Sequence, residues 1–129
     1  YSFQYCKNIR IFNSEIDTKD AFWHSKNVYV KDSIIKGEYI GWYSSNLTFV
    51  NCIIESHQPF CYSNSVTFIN CKMPNCDLEK TSIKGNVTGK INSIKNPRKA
   101  SFKVEEIGEL IQEKKNKHVH IKITGDVNK

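Results

Sequence analysis

Residues 27–35 read Asn-Val-Tyr-Val-Lys-Asp-Ser-Ile-Ile, "NVYVKDSII", and residues 46–54 read "NLTFVNCII". The same sentence stands before them at 8–16, "NIRIFNSEI", and after them at 65–73, "SVTFINCKM". Each copy lies 19 residues from the next. The flanks repeat as well: "AFWHSKN" at 21–27, "IGWYSSN" at 40–46 and "PFCYSNS" at 59–65. Three apolar columns follow, Ile9/Val28/Leu47/Val66, Ile11/Val30/Phe49/Phe68 and Ile16/Ile35/Ile54/Met73. In a chain that is 39% hydrophobic, twelve apolar cells out of twelve would arise by chance about once in a hundred thousand trials. The period is therefore structural.

Inside each unit the first residues alternate. Ile9 and Ile11 point one way and Arg10 the other, which marks a half-buried strand. The steps Asn13-Ser14, Asp32-Ser33, Asn51-Cys52 and Asn70-Cys71 are where the chain bends, since Asn and Asp tolerate turn conformations. A second polar column runs Asn8, Asn27, Asn46 and Ser65. Strands one lap apart must run parallel, stacking at about 4.8 Å per lap. With the right-handed crossover rule for parallel strands, the expected fold is all-β: a right-handed parallel β-helix of about 19 residues per turn, in a single domain. Leucine-rich repeats are excluded, because Leu occurs only at 47, 78 and 110. A left-handed hexapeptide helix needs a sixfold sub-period that is absent here, and no helical repeat stripe is present.

After Lys72 the interval shortens. "MPNCDLEKTSIKGNVTGKINSIKNP" reads as a smaller last turn ending at Asn96-Pro97. The solenoid is thus assigned to residues 1–97 and a C-terminal cap or tail to 98–129. Within the cap "HVHIKI" at 118–123 alternates as a strand. Val104, Ile107, Leu110 and Ile111 leave two readings open: one or two strands, or a short helix over 104–114 weakened by Gly108. Tyr1 falls inside a repeat unit, so turns before it are expected to be missing, removed or covered by another molecule.

The net charge of +6 admits a polyanion partner, with nine Lys or Arg against five acids in residues 95–129. No nucleic-acid recognition signature accompanies it, and "EKKNK" at 113–117 reads as a solvated loop. No apolar run is long enough to cross a bilayer, and no signal-peptide pattern is seen. Five cysteines (6, 52, 61, 71, 76) cannot all pair; they read as reduced thiols, which implies a reducing compartment and a cytoplasmic location. The sequons at Asn46 and Asn86 are read as incidental.

The stretches "DAFWHSKNVYVKDSIIKGEYIGWYSSNLTFVNC", "PFCYSNSVTFINC" and "SIKNP" resemble an uncharacterised pectin-lyase-like β-helix family, domain of unknown function 3737, over roughly residues 1–112. The resemblance implies the fold and implies comparable turns before Tyr1. It supplies no reaction and no catalytic residues. Neighbouring β-helix families that act on acidic sugars use clustered carboxylates on adjacent laps, with calcium in the lyases. The weak candidates here are Asp20, Glu38 and His57 along one loop edge.

The column Tyr5, His24, Tyr43, Tyr62 reads as an aromatic ladder, and Trp23 and Trp42 form a neighbouring one. Strict alternation would put the two columns on opposite sides, only one of them facing solvent. These five residues (Trp23, His24, Trp42, Tyr43 and Tyr62) are the candidate ligand-binding set. No cofactor or metal is expected, since His118 and His120 alone are too few ligands. The expected function is a non-enzymatic scaffold binding a carbohydrate or protein partner. The alternatives are a polysaccharide lyase or hydrolase, and an assembly module dimerising through its uncapped first turn.

Overall fold

The computed structural model describes residues 3–125. It contains strands only: β1 (Lys7–Phe12), β2 (Glu15–Asp17), β3 (Lys26–Lys31), β4 (Ile34–Glu38), β5 (Ser45–Val50), β6 (Ile53–His57), β7 (Asn64–Lys72), β8 (Asp77–Glu79), β9 (Ser82–Lys95), β10 (Lys99–Ile111) and β11 (Val119–Ile123). Every pairing is parallel, and the strands form one β-solenoid. The first wall stacks β1, β3, β5 and β7; the second stacks β2, β4 and β6. The register matches the sequence columns: Ile9 faces Val28, Val28 faces Leu47 and Leu47 faces Val66. Ile16, Ile35 and Ile54 likewise pair in series.

The interior is the sum of these columns. Val28, Val30, Ile35, Leu47, Phe49, Ile54, Val66 and Phe68 are buried, each contributing roughly 1.5–3 kcal/mol of hydrophobic stabilisation for a full-sized side chain. Phe49 and Phe68 stack at 6.0 Å, and Phe60 packs against both at 5.3 and 5.6 Å. Gly41 stands where Phe22 and Phe60 stand in the neighbouring laps. A Cβ there would come within 2.5 Å of the Phe60 ring, so the missing side chain is the space that ring fills.

Each lap turns on residues in the left-handed region. Asn13, Asp32, Asn51 and Asn70 have φ between 50° and 54°, and Asn8, Asn27 and Asn46 between 56° and 58°. Asn and Asp reach this region at least steric cost. Their side chains form ladders: the Asn46 amide donates to Asn27 (2.8 Å), Asn27 to Asn8 (3.0 Å) and Asn51 to Asp32 (2.7 Å).

Small polar side chains satisfy the inner side of the corners. The Ser44 hydroxyl accepts the Ser25 N–H at 3.1 Å and donates to the Phe22 carbonyl. Ser25 does the same for the Cys6 N–H and the Phe3 carbonyl, while Ser33 accepts the Ser14 N–H. At the other corner the Cys71 thiol donates to the Phe49 carbonyl at 3.1 Å and Cys52 to Val30 at 3.4 Å. All five cysteines are unpaired, in keeping with the reading of reduced thiols as small corner residues.

The C-terminal third departs from the sequence reading in two respects. The lap after Lys72 does shorten: Val66 pairs with Ile83, 17 residues on, and Cys71 with Val87, 16 on. It is not the last, however. β10 pairs with β9 and β11 with β10, all parallel, so the two strands expected of a cap finish the stack by adding laps to it. The helix over 104–114 does not form. Ile107 pairs with Ile91 and Leu110 with Ile94, with a register shift between Val104 and Glu106. That shift spaces the inward positions three residues apart and imitates a helical stripe.

Candidate aromatic ladder site

The tight turns at 20–24, 39–43 and 58–62 join the end of one lap to the first strand of the next. They stack on one another through backbone bonds. Tyr5 N–H donates to the Trp23 carbonyl (2.8 Å), His24 to Trp42 (3.0 Å) and Tyr43 to Cys61 (3.1 Å). On this frame the four candidate ladder residues are brought together. Tyr5 and His24 stack at 5.1 Å, His24 and Tyr43 at 5.1 Å, and Tyr43 and Tyr62 at 5.3 Å, with interplanar angles of 5° to 12°. The Lys80 ammonium lies 5.7 Å from the Tyr62 ring centre and extends the column by a cation–π contact.

The ladder faces solvent: Tyr5 is 68% exposed, Tyr43 46% and Tyr62 39%. Its backbone is unusual. Tyr5, His24, Tyr43 and Tyr62 have φ of 53° to 57°, a region in which bulky residues are genuine outliers. Phe3, Phe22 and Phe60 share it, but Phe22 and Phe60 are buried and serve the core. The ladder residues are exposed, so packing in the core does not explain them.

Trp23 and Trp42 are half-buried. They do not lie on the opposite side. Trp23 is 5.7 Å from His24 and 6.3 Å from Tyr43; Trp42 is 6.1 Å from Tyr43 and 6.3 Å from Tyr62. The alternation argument fails because these residues form a turn with left-handed and right-handed φ interleaved, which resets side-chain direction at every step. The indoles therefore buttress the ladder. Trp42 Nε1–H donates to the Gln58 carbonyl at 2.6 Å, whereas Trp23 Nε1 is buried without a partner among the described residues. Tyr39 joins the patch edge-on to Trp42 (5.5 Å) and His57 (5.8 Å), a contribution the sequence reading missed. Its signal was its place in the Asp20/Tyr39/Gln58 column, all with positive φ.

The weak catalytic candidates lie on the neighbouring edge. Glu38 and His57 are register partners, and the Asp20 N–H donates to the Glu38 carbonyl at 2.8 Å. The charged partner of His57 is Asp77, at 4.0 Å. The Ser93 hydroxyl (2.6 Å), with help from the Asn92 amide (2.7 Å) and His57, holds the Asp77 carboxyl below its ordinary pKa. Among the described residues no group of three or more His, Cys, Asp or Glu is arranged to hold a metal. Burial pushes the Cys61 thiol up to about 11 and the Cys76 thiol up to about 12, whereas the hydrogen bond with Cys71 lowers Cys52 to about 7.

Comparison with curated proteins and with solved structures finds no match. A family model described as protein of unknown function, DUF3737, matches residues 1–124. The match extends beyond the 1–112 of the sequence resemblance and takes in "HVHIKI", consistent with β11 continuing the stack. The chain therefore belongs to the DUF3737 family of proteins of unknown function.

Proposed function

We propose that this protein is a non-enzymatic binding scaffold, a pectin-lyase-like β-helix whose recognition surface is the ladder Tyr5–His24–Tyr43–Tyr62 buttressed by Trp23 and Trp42. One observation carries the reading. Four exposed rings occupy left-handed backbone positions that cost on the order of 1 kcal/mol each for a non-glycine residue. The corner columns Asn13/Asp32/Asn51/Asn70 and Asn8/Asn27/Asn46 put Asn or Asp at such positions, and Phe22 and Phe60, which share the region, are buried in the core. Strain retained at exposed aromatic side chains is characteristic of binding surfaces.

The stacking also defines what the surface offers. Faces are used up ring against ring, so a ligand meets ring edges and polar tips: phenol hydroxyls and an imidazole at intervals of about one lap. Rigid tyrosines of this kind give contact area at low entropic cost. A carbohydrate, or a protein partner with matching polar groups, suits such a row. Five unpaired thiols support a reducing compartment and hence the cytoplasm.

The test is a glycan-array screen of the intact chain against His24→Ala and Tyr43→Ala. Binding lost in both variants while the melting curve stays cooperative is the expected result. Binding that survives both, and Trp42→Ala, removes the ladder from consideration. A second reading, a polysaccharide lyase or hydrolase, draws on the adjacency of Asp20, Glu38 and His57. Uronate turnover abolished by Glu38→Gln would establish it in place of the scaffold. A third, assembly through the outer edge of β1, which pairs only with β3 among the described strands, is eliminated by a strict monomer in light scattering.

A further inference from the structure

The outward face of the first wall changes character along the stack. After Arg10 in the first lap it carries Tyr29, Thr48 and Thr67; in the later laps it carries Lys84, Ser101 and His120 on the same rung line. One step along the strands, Lys103 pairs directly with Lys122, and on the other side Lys99 lies beside His118, whose carbonyl accepts the Ala100 N–H. Lys117 completes the rim. All seven cationic or imidazole side chains are exposed. None takes part in a salt bridge among the described residues, whose two ion pairs are His57–Asp77 and Lys90–Glu106. Two adjoining shallow depressions meet here, sharing Ser101 and His120; one takes in Lys103 and Lys122, the other Lys84, Lys99 and Lys117.

The arrangement opposes the fold's own interest. Like charges directly opposite on neighbouring strands are destabilising, and Lys103 and Lys122 stand one rung apart, about 4.8 Å at the backbone. An outward position on a sheet would be served as well by Thr, as at 48 and 67. We infer that the outward face of β9, β10 and β11 is a binding site for a linear anionic glycan, its sulfate or carboxylate groups neutralising Lys84, Lys99, Lys103 and Lys122.

Geometry favours a glycan over a nucleic acid. Outward positions recur along β10 at every second residue, with Ser101 between Lys99 and Lys103, so the two cations of this strand stand about 13 Å apart, while Lys103 and Lys122 face each other across laps at about 4.8 Å. They form a flat grid interspersed with hydroxyl and amide groups of Ser82, Ser101 and Asn86. Bases bind single-strand readers by stacking on aromatic faces, and neither depression is lined by an exposed Phe, Tyr or Trp: Phe102 is buried, and the only exposed rings lining the two are the imidazoles of His118 and His120. The inference does not rest on the ladder, which lies on the turns of the earlier laps.

The experiment measures the affinity of the intact chain for a heparin dodecasaccharide, a polyuronate and an oligothymidylate of matched charge, at low and near-physiological salt. The variants are Lys103→Glu/Lys122→Glu, Lys36→Glu on the second wall, and Tyr43→Ala; thermal melts establish that each is folded. Expected is binding of at least one glycan that weakens with salt, a loss of about tenfold or more in the double variant, and little change in Lys36→Glu. The sulfated and uronate probes separate the two sources of the anion. Equal loss in Lys36→Glu overturns the site in favour of net charge alone. Tighter binding of the oligothymidylate overturns the glycan. Absence of binding to all three probes at low salt overturns the inference, leaving the lysines as guards of a sheet edge. Loss in Tyr43→Ala alone would return the glycan to the ladder, so the two proposals fail separately.

Discussion

The hydroxyl at Ser44 provides a direct test of how the corners hold. Ser44 is 1% exposed; it accepts the N–H of Ser25, itself fully buried, and donates to the Phe22 carbonyl one lap below. Ser44→Ala removes both bonds with almost no change of volume. Each contributes about 1 kcal/mol net, and a buried donor left without a partner costs about 1–3 kcal/mol. The Ser25 N–H keeps a longer contact with Phe22 O at 3.3 Å, which recovers part of the loss. The expected destabilisation is therefore about 2 kcal/mol, or roughly 6–10 °C in melting temperature for a domain of this size. Ser44→Cys should lose less, because Cys52 and Cys71 already make the equivalent bond with a thiol. Ser101→Ala, at an exposed position, sets the baseline. Urea unfolding followed by far-UV circular dichroism and tryptophan fluorescence measures all three. If Ser44→Ala falls within about 0.5 kcal/mol of Ser101→Ala, the corner hydroxyls are spectators and the account of the turns is wrong.

The two indoles should respond differently to Phe. Trp42→Phe gives up the bond to the Gln58 carbonyl and should lose about 1–2 kcal/mol, while Trp23→Phe removes a buried, unpartnered N–H and should be neutral or stabilising; a loss in both equal to within error refutes the assignment. Cys61 and Cys76 should resist a thiol reagent at neutral pH in the folded protein and react on unfolding. Their folded pKa values are raised from 9.0 to about 11 and about 12. The stability they contribute is therefore complete below about pH 9 and lost as pH climbs through the folded values; a Cys61→Ala/Cys76→Ala variant should show a flatter alkaline limb in urea titrations. Asp77 works in the opposite sense. Its pKa is depressed below 3.8, so its contribution is present above that pH and lost as pH falls through the lower folded value. Asp77→Asn should show a shallower acid limb of unfolding, and unchanged acid dependence would count against the Ser93–Asn92 cradle.

Much of the solenoid was legible because a lap of constant length turns sequence offset into vertical position. Val28 beneath Leu47, and Asn27 beneath Asn46, follow from the number 19 alone. Reading failed where that constant changed. Lys84, Ser101 and His120 share a rung line although their spacings are 17 and 19, so the cationic face could not be found by stepping a fixed interval. The same irregularity, a register shift after Val104, made β10 resemble a helix. Within the site, the ladder column was visible as Tyr5, His24, Tyr43 and Tyr62, but its direction was not. Orientation depends on φ at each turn residue, and alternation rules hold only for extended chain. The column Ser25, Ser44, Ser63 was equally periodic, yet its work of satisfying corner amides appears only when the carbonyl three residues earlier in the preceding lap is brought beneath it.

The sequence by itself determined the parallel stack, its register over the first four laps, the Asn corners and the composition of the core, because each depends on local preference repeated at a fixed period. Tertiary structure alone decided which aromatic column meets solvent, how the indoles brace it, that residues 98–125 lengthen the stack, and that lysines far apart in the chain share one face. Those features depend on turn geometry and on laps of unequal length, and both are set by packing against the lap beneath.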